Sequence, residues 1–183
     1  MIFFWKWNMY TIFKNHEKAP MLTQRGLIVI KDLCENEEHC EVLLGTLGEL
    51  CLQRSRNRID CMSILLEFAN HYNTKIRIAA LDQIMSIYSK LYTSIEINNL
   101  ISKYLEKYLV YLKYESPPPE LSDMTDDWFP DLIERCLALA LTILSQNANV
   151  LRDLAKIYAK TKSTEVQKTI LRALGEFNWF SNY

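Results

Sequence analysis

The sequence predicts an all-α chain of antiparallel helix pairs, and three observations carry that expectation. Only four glycines and five prolines occur in 183 residues, few for a chain that must turn between strands. Apolar residues recur at three and four residue spacing in one window after another, broken by short polar runs. Between Leu132 and Leu144 apolar groups stand on nearly every side of a helical wheel, as in a helix enclosed by others.

Taken in order, residues 1–18 read as an N-terminal tail, rich in aromatics from Met1 to Tyr10. Lys6 and Asn8 interrupt the apolar run and no small-residue pair follows, so a secretory leader is not expected. From Ala19-Pro20 a first helix carries Leu22, Gly26-Leu27, Val29-Ile30 and Leu33, ending at Glu35-Asn36-Glu37-Glu38. A second follows with Val42-Leu43-Leu44, Leu47 and Leu50-Cys51, and a third with Cys61-Met62, Ile64-Leu65 and Phe68-Ala69. Gly45 and Gly48 lie inside the second helix and weaken it by about 1 kcal/mol each relative to Ala, so close approach of a neighbour is expected there. The GTLG run is no phosphate loop, since no Lys-Ser/Thr pair follows it.

Asn73 or Thr74 can cap the next helix, in which Ile76, Ala79-Ala80, Ile84 and Ile87 line one side while Lys75, Arg77, Asp82 and Gln83 lie away from it. This cadence resembles the inner helix of a HEAT repeat, and Ser163 to Leu174 repeats it with Gln167 in place of the Arg. Ile76 and Val166 are about two periods of 40 to 47 residues apart. The expected architecture is therefore a HEAT/armadillo-like helical repeat solenoid segment of paired antiparallel helices. Between the two repeats, Ile95 to Tyr114 forms a long helix, and Glu115 to Asp127 an extended linker with three consecutive prolines and five acidic residues. After it come the enclosed helix, a turn at Gln146 to Asn149, and a helix whose apolar face is Leu151, Leu154, Ala155 and Tyr158. The domain reading is a first helical pack over 19–114, a linker over 115–127, a second pack over 128–176 and an aromatic tail over 177–183.

Chemistry is sparse. Lys and Arg total 21 against 22 Asp and Glu, a net charge of -1, so no global field draws the chain to nucleic acid or acidic lipid. Five cysteines, Cys34, Cys40, Cys51, Cys61 and Cys136, form an odd set that reads as buried thiols in a reducing compartment. Cys34, His39 and Cys40 lack metal-ligand spacing, and His16, His39 and His71 are scattered with no nucleophile beside them. No catalytic, cofactor-binding or metal-binding residue is expected. Arg54, Arg56 and Arg58 form the only basic cluster, either a contact for a phosphate or acidic peptide or a solvated loop. Tyr104, Lys107 and Tyr108 offer either a base-stacking surface or amphipathic tyrosines of the core edge.

Across residues 11–176 one resemblance runs collinearly. Ala19-Pro20 with Thr23, the Leu27 to Cys34 helix, the Arg54 to Arg58 loop, Lys75-Ile76-Arg77 with Ala80-Leu81, and Tyr104-Leu105 begin the series. Pro117 to Pro119, Trp128, Cys136-Leu137, Gln146-Asn147, Leu154-Ala155 with Tyr158, and Leu171-Arg172 continue it. In this order they resemble the C-terminal region of the symplekin family, the scaffold of pre-mRNA 3′-end processing. The resemblance implies a nuclear stack of helix pairs that binds subunits of the cleavage and polyadenylation machinery, including the metallo-β-lactamase endonuclease and its inactive partner. It implies no cofactor and carries over no catalytic residues. The first ten and last seven residues depart from the family, so the chain reads as an excised segment with improvised ends, a short gene product or an incomplete gene. An RNA-binding helical repeat, or a fragment without independent function, are the alternative readings.

Overall fold

In the computed structural model the described residues are 23–113, 128–144 and 146–176, and among them eight α-helices and no strand occur. We number them α1 Gln24–Cys34, α2 Cys40–Gln53, α3 Arg58–Phe68, α4 Thr74–Leu91, α5 Ile95–Leu109, α6 Trp128–Leu144, α7 Asn149–Lys160 and α8 Thr164–Glu176. The tail over 1–18, the linker over 115–127 and the tail over 177–183 lie outside the described residues.

Local chemistry explains where the helices begin. Thr23 Oγ1 accepts the Gly26 amide, Asn73 Oδ1 accepts the amides of Lys75 and Ile76, and Ser94 Oγ accepts that of Ile97. Each occupies amide hydrogens that a helix start leaves without a partner, a cap worth about 1 kcal/mol. Asn147 Oδ1 similarly takes the Asn149 amide at the entry to α7.

The main contacts are between consecutive helices and between helices two places apart. Helices α1, α3 and α5 form one layer, which α7 continues by meeting the 3-10 turn Val110–Lys113 after α5; α2, α4, α6 and α8 form the other. One continuous core runs through both, from Leu27 to Ile170, with Leu44, Leu47, Met62, Leu65, Ile84 and Leu137 among its fully buried side chains. The enclosed helix is α6, which packs against α4, α5, α7 and α8, so its all-round apolar surface has neighbours to meet. Helices α4 and α8, the two that share a sequence cadence, stand two places apart in one layer with α6 between them.

A polar ladder ties α1 and the loop after it to α3 and the loop after that. Gln24 donates to Asp60, Lys31 Nζ lies 2.5 Å from Glu67, His71 Nε2 lies 2.8 Å from Glu35, and Asn73 donates to Glu37. All four pairs are 36 residues apart. Arg172 and Glu134, joining α8 to α6 at 2.8 Å, are 38 apart. A fixed spacing of this kind arises when parallel helices of one layer sit side by side in constant register.

Four details correct the sequence reading. Gly48 does meet a neighbour, the Gln83 side chain of α4, which a β-carbon would strike; Gly45 faces open space, so close approach accounts for only one of the two. Arg77 does not lie away from the core: it is 8% exposed. In α7 the buried residues are Val150, Leu154 and Ile157, whereas Leu151 and Tyr158 are half-buried and Ala155 is exposed. In α1 the buried set is Leu27, Ile30 and Cys34, leaving Val29 and Leu33 exposed.

Candidate protein-binding surface

The basic cluster sits on the turn between α2 and α3, where Ser55–Asn57 forms one 3-10 turn. Its three arginines differ in what they do. Arg58 reaches back, its Nε donating to the Cys51 carbonyl at 3.1 Å, and so satisfies an acceptor at the end of α2 that has no partner within the helix. Arg54 is half-buried and Arg56 exposed. Of the predicted contact residues, only Arg56 is exposed.

The tyrosine face is committed inward. Tyr104 and Tyr108 are 9% and 3% exposed. Tyr108 donates its hydroxyl to the Leu66 carbonyl at 2.6 Å, and Tyr104 donates to the Glu67 carboxylate at 3.4 Å. Burial pushes the hydroxyls of both above the ordinary range, with further help from neighbouring groups including Glu67. Lys107 Nζ stands 5.4 Å and 5.8 Å from the two ring centres, closing a cation-π contact over them. Neither ring offers a face on which a base could stack.

All five cysteines are buried and unpaired with one another. Burial raises Cys34, Cys61 and Cys136 to about 12 and Cys51 to about 11, so these thiols are protonated and unreactive near neutrality. Among the described residues no group of three His, Cys, Asp or Glu side chains is placed to hold a metal ion, and no helix is long and apolar enough to cross a membrane. His71 is drawn into the ladder instead: its Nδ1 accepts the Asn73 amide at 3.1 Å while Nε2 faces Glu35.

Arg77 and Gln167 show what the shared cadence of α4 and α8 is for. Arg77 donates to the carbonyls of His71 at 2.8 Å and Tyr72 at 3.3 Å and to Thr74 Oγ1 at 3.3 Å. Gln167 donates to the carbonyls of Tyr158 and Thr161, both at 3.3 Å. In each case a side chain near the start of a helix ties down the turn that leads into it. Burial lowers the Arg77 pKa, an effect the Asp131 carboxylate opposes and Arg135 reinforces. Arg135 on α6 is 6% exposed; its Nε lies 3.0 Å from Asp131 but off the line of a hydrogen bond, so that polar atom stays unsatisfied.

One surface feature among the described residues is one that sequence reasoning missed. A groove of about 520 Å³ separates α5 from α7, lined by the apolar Leu105, Leu109, Val110, Val150 and Ile157 and by the charged Glu106, Asp153, Lys156 and Lys160. Apolar residues of α5 and α7 were legible one by one, but their juxtaposition depends on how the two helices are set apart in one layer. No family model and no solved structure matches the chain.

Proposed function

We propose that the chain is a non-catalytic scaffold segment of the nuclear mRNA 3′-end processing machinery, a HEAT/armadillo-like stack of helix pairs that binds other protein subunits. The observation that carries the reading is the collinear series of residues from Ala19-Pro20 to Leu171-Arg172 that resembles the symplekin C-terminal region. Two structural features support it. Helices pack mainly on their nearest neighbours in two layers, as quasi-one-dimensional repeats do. The groove between α5 and α7 has the mixed apolar and charged lining of a surface that receives a protein segment.

Co-purification tests this directly. The full chain, tagged and expressed in cells, is expected to recover the cleavage endonuclease and its inactive partner. Leu105→Arg, which places a charge at the groove, is expected to reduce that recovery without unfolding the chain. A folded chain that recovers neither subunit refutes the proposal.

A further inference from the structure

The basic run from Arg54 to Arg58 takes no part in the groove between α5 and α7. The packing of α2 on α4 shows what stands beside it. The two helices meet at Gly48 and Gln83, and with α3 returning between them they run in the same direction. Seven residues on is two turns on the same face of a helix, so Lys90 lies on the side of α4 turned to α2. The same step from Gly48 reaches Ser55, between Arg54 and Arg56 in the α2–α3 turn. Tyr92, just past the end of α4, is nine residues from Gln83 and so on the far side of that helix end. It is 61% exposed, and Ile95, which opens α5, is 75% exposed. Arg56, Lys90 and Arg25 are exposed as well. Arg25 belongs to this end because its neighbour Gln24 bonds Asp60, two residues past Arg58. Together Arg25, Arg54, Arg56, Arg58 and Lys90 outnumber the acids there, Glu49, Asp60 and Glu96.

We infer that this edge of the stack binds single-stranded nucleic acid, with phosphates on Arg25, Arg56 and Lys90 and a base on the ring of Tyr92. A single strand offers regularly spaced negative charge and open aromatic faces together, and an edge of cations beside an exposed ring meets both. An acidic peptide has no use for the ring, and a duplex keeps its base faces stacked. The other basic region, α7 and α8, presents no exposed ring among the described residues, its Tyr158 being half-buried, and Lys156, Lys168 and Arg172 there are held by Asp153, Glu165 and Glu134. Sequence reading sought the stacking ring at Tyr104 and Tyr108, whose hydroxyls are bonded to α3; the fold instead places Tyr92 at the end that carries the arginines. With the chain's net charge at -1 the attraction is local, so binding is of modest strength. The contact lies apart from the α5–α7 groove and is independent of any protein partner.

Fluorescence anisotropy of the full chain with labelled oligouridylate and oligothymidylate of about ten nucleotides tests this. Three phosphate contacts give a log–log salt slope of about -2, so affinity is expected to fall about 100-fold from about 20 to about 200 mM salt. Lys90→Ala or Arg56→Ala is expected to flatten the slope by about 0.7. Tyr92→Ala is expected to weaken binding about fivefold or more at unchanged slope, and Tyr92→Phe, which keeps a ring, to bind like wild type. These side chains are solvent-facing, and far-UV circular dichroism checks that each variant keeps its helix content. No binding at about 20 mM salt overturns the inference. So does binding that Tyr92→Ala leaves unchanged, which would point to an acidic protein segment as the ligand, or binding as tight to a duplex of the same length.

Discussion

Arg77 offers a quantitative test of how the helix pairs are locked. Its guanidinium is almost fully buried yet anchors the turn before α4 through two carbonyls and a hydroxyl. Arg77→Ala removes all three bonds and leaves the part-buried His71 carbonyl short of a donor, at about 1 to 3 kcal/mol, while exposed Tyr72 can give its carbonyl to water. Loss of the remaining bonds and relief of the buried charge act in opposite directions, giving an expected net loss of about 1 to 3 kcal/mol. The molecule supplies its own control, because Gln167 performs the matching task in α8 with a neutral amide. Arg77→Gln is therefore expected to restore at least half of the loss. Urea unfolding followed at 222 nm measures both variants. A loss under about 1 kcal/mol for Arg77→Ala, or equal losses for Ala and Gln, would refute the idea that donation to those carbonyls is what the position supplies.

Two further outcomes are expected. Tyr108→Phe removes a buried hydroxyl donor from the Leu66 carbonyl and should cost about 1 to 2 kcal/mol in the same assay, against less than about 1 kcal/mol for Lys31→Met at the half-exposed Glu67 ion pair. The buried thiols predict a loss of stability in alkali: their folded values of about 11 to 12 exceed the ordinary 9.0, so above pH 9 the unfolded chain releases protons that the folded chain holds. Stability is then present in full below about pH 9 and falls by about 1.4 kcal/mol per pH unit for each such thiol as pH rises toward the folded values. Urea midpoints at pH 7.5, 9 and 10 check this, and a flat response would show that the thiols are reached by solvent.

Much of the fold could be read from periodicity. The Asn73 cap, the enclosed α6 and the turn at Gln146-Asn147 are local or single-helix features, and each lies where spacing put it. What periodicity could not settle is which of two apolar stripes meets a neighbour. In α7 both Val150, Leu154, Ile157 and Leu151, Ala155, Tyr158 recur at helical spacing, and only the placement of α6 and of the 3-10 turn after α5 selects the first. Arg77 was misplaced for another reason: pattern reading sends every charge outward, whereas a long side chain can fold back onto carbonyls of the preceding turn. Tyr104 and Tyr108 resembled a surface because Lys107 stands between them; the groups their hydroxyls bond lie on α3, 37 and 42 residues away. The 36-residue ladder was present in the sequence as pairs such as Glu35 with His71, but opposite charges at that distance carry no signal until the register is known.

That ladder bears on how the chain acquires its structure. Bonds that join one helix pair to the next reach 36 to 61 residues along the sequence. Contacts of such short reach require little loop closure before they form, which gives a low contact order and rapid folding. A nascent chain could therefore settle α1 to α4 while α5 to α8 are still being synthesised, each new pair condensing on an edge already made. The same locality means that damage to one pair would loosen its immediate neighbours first, so failure would spread along the chain rather than strike the whole core at once.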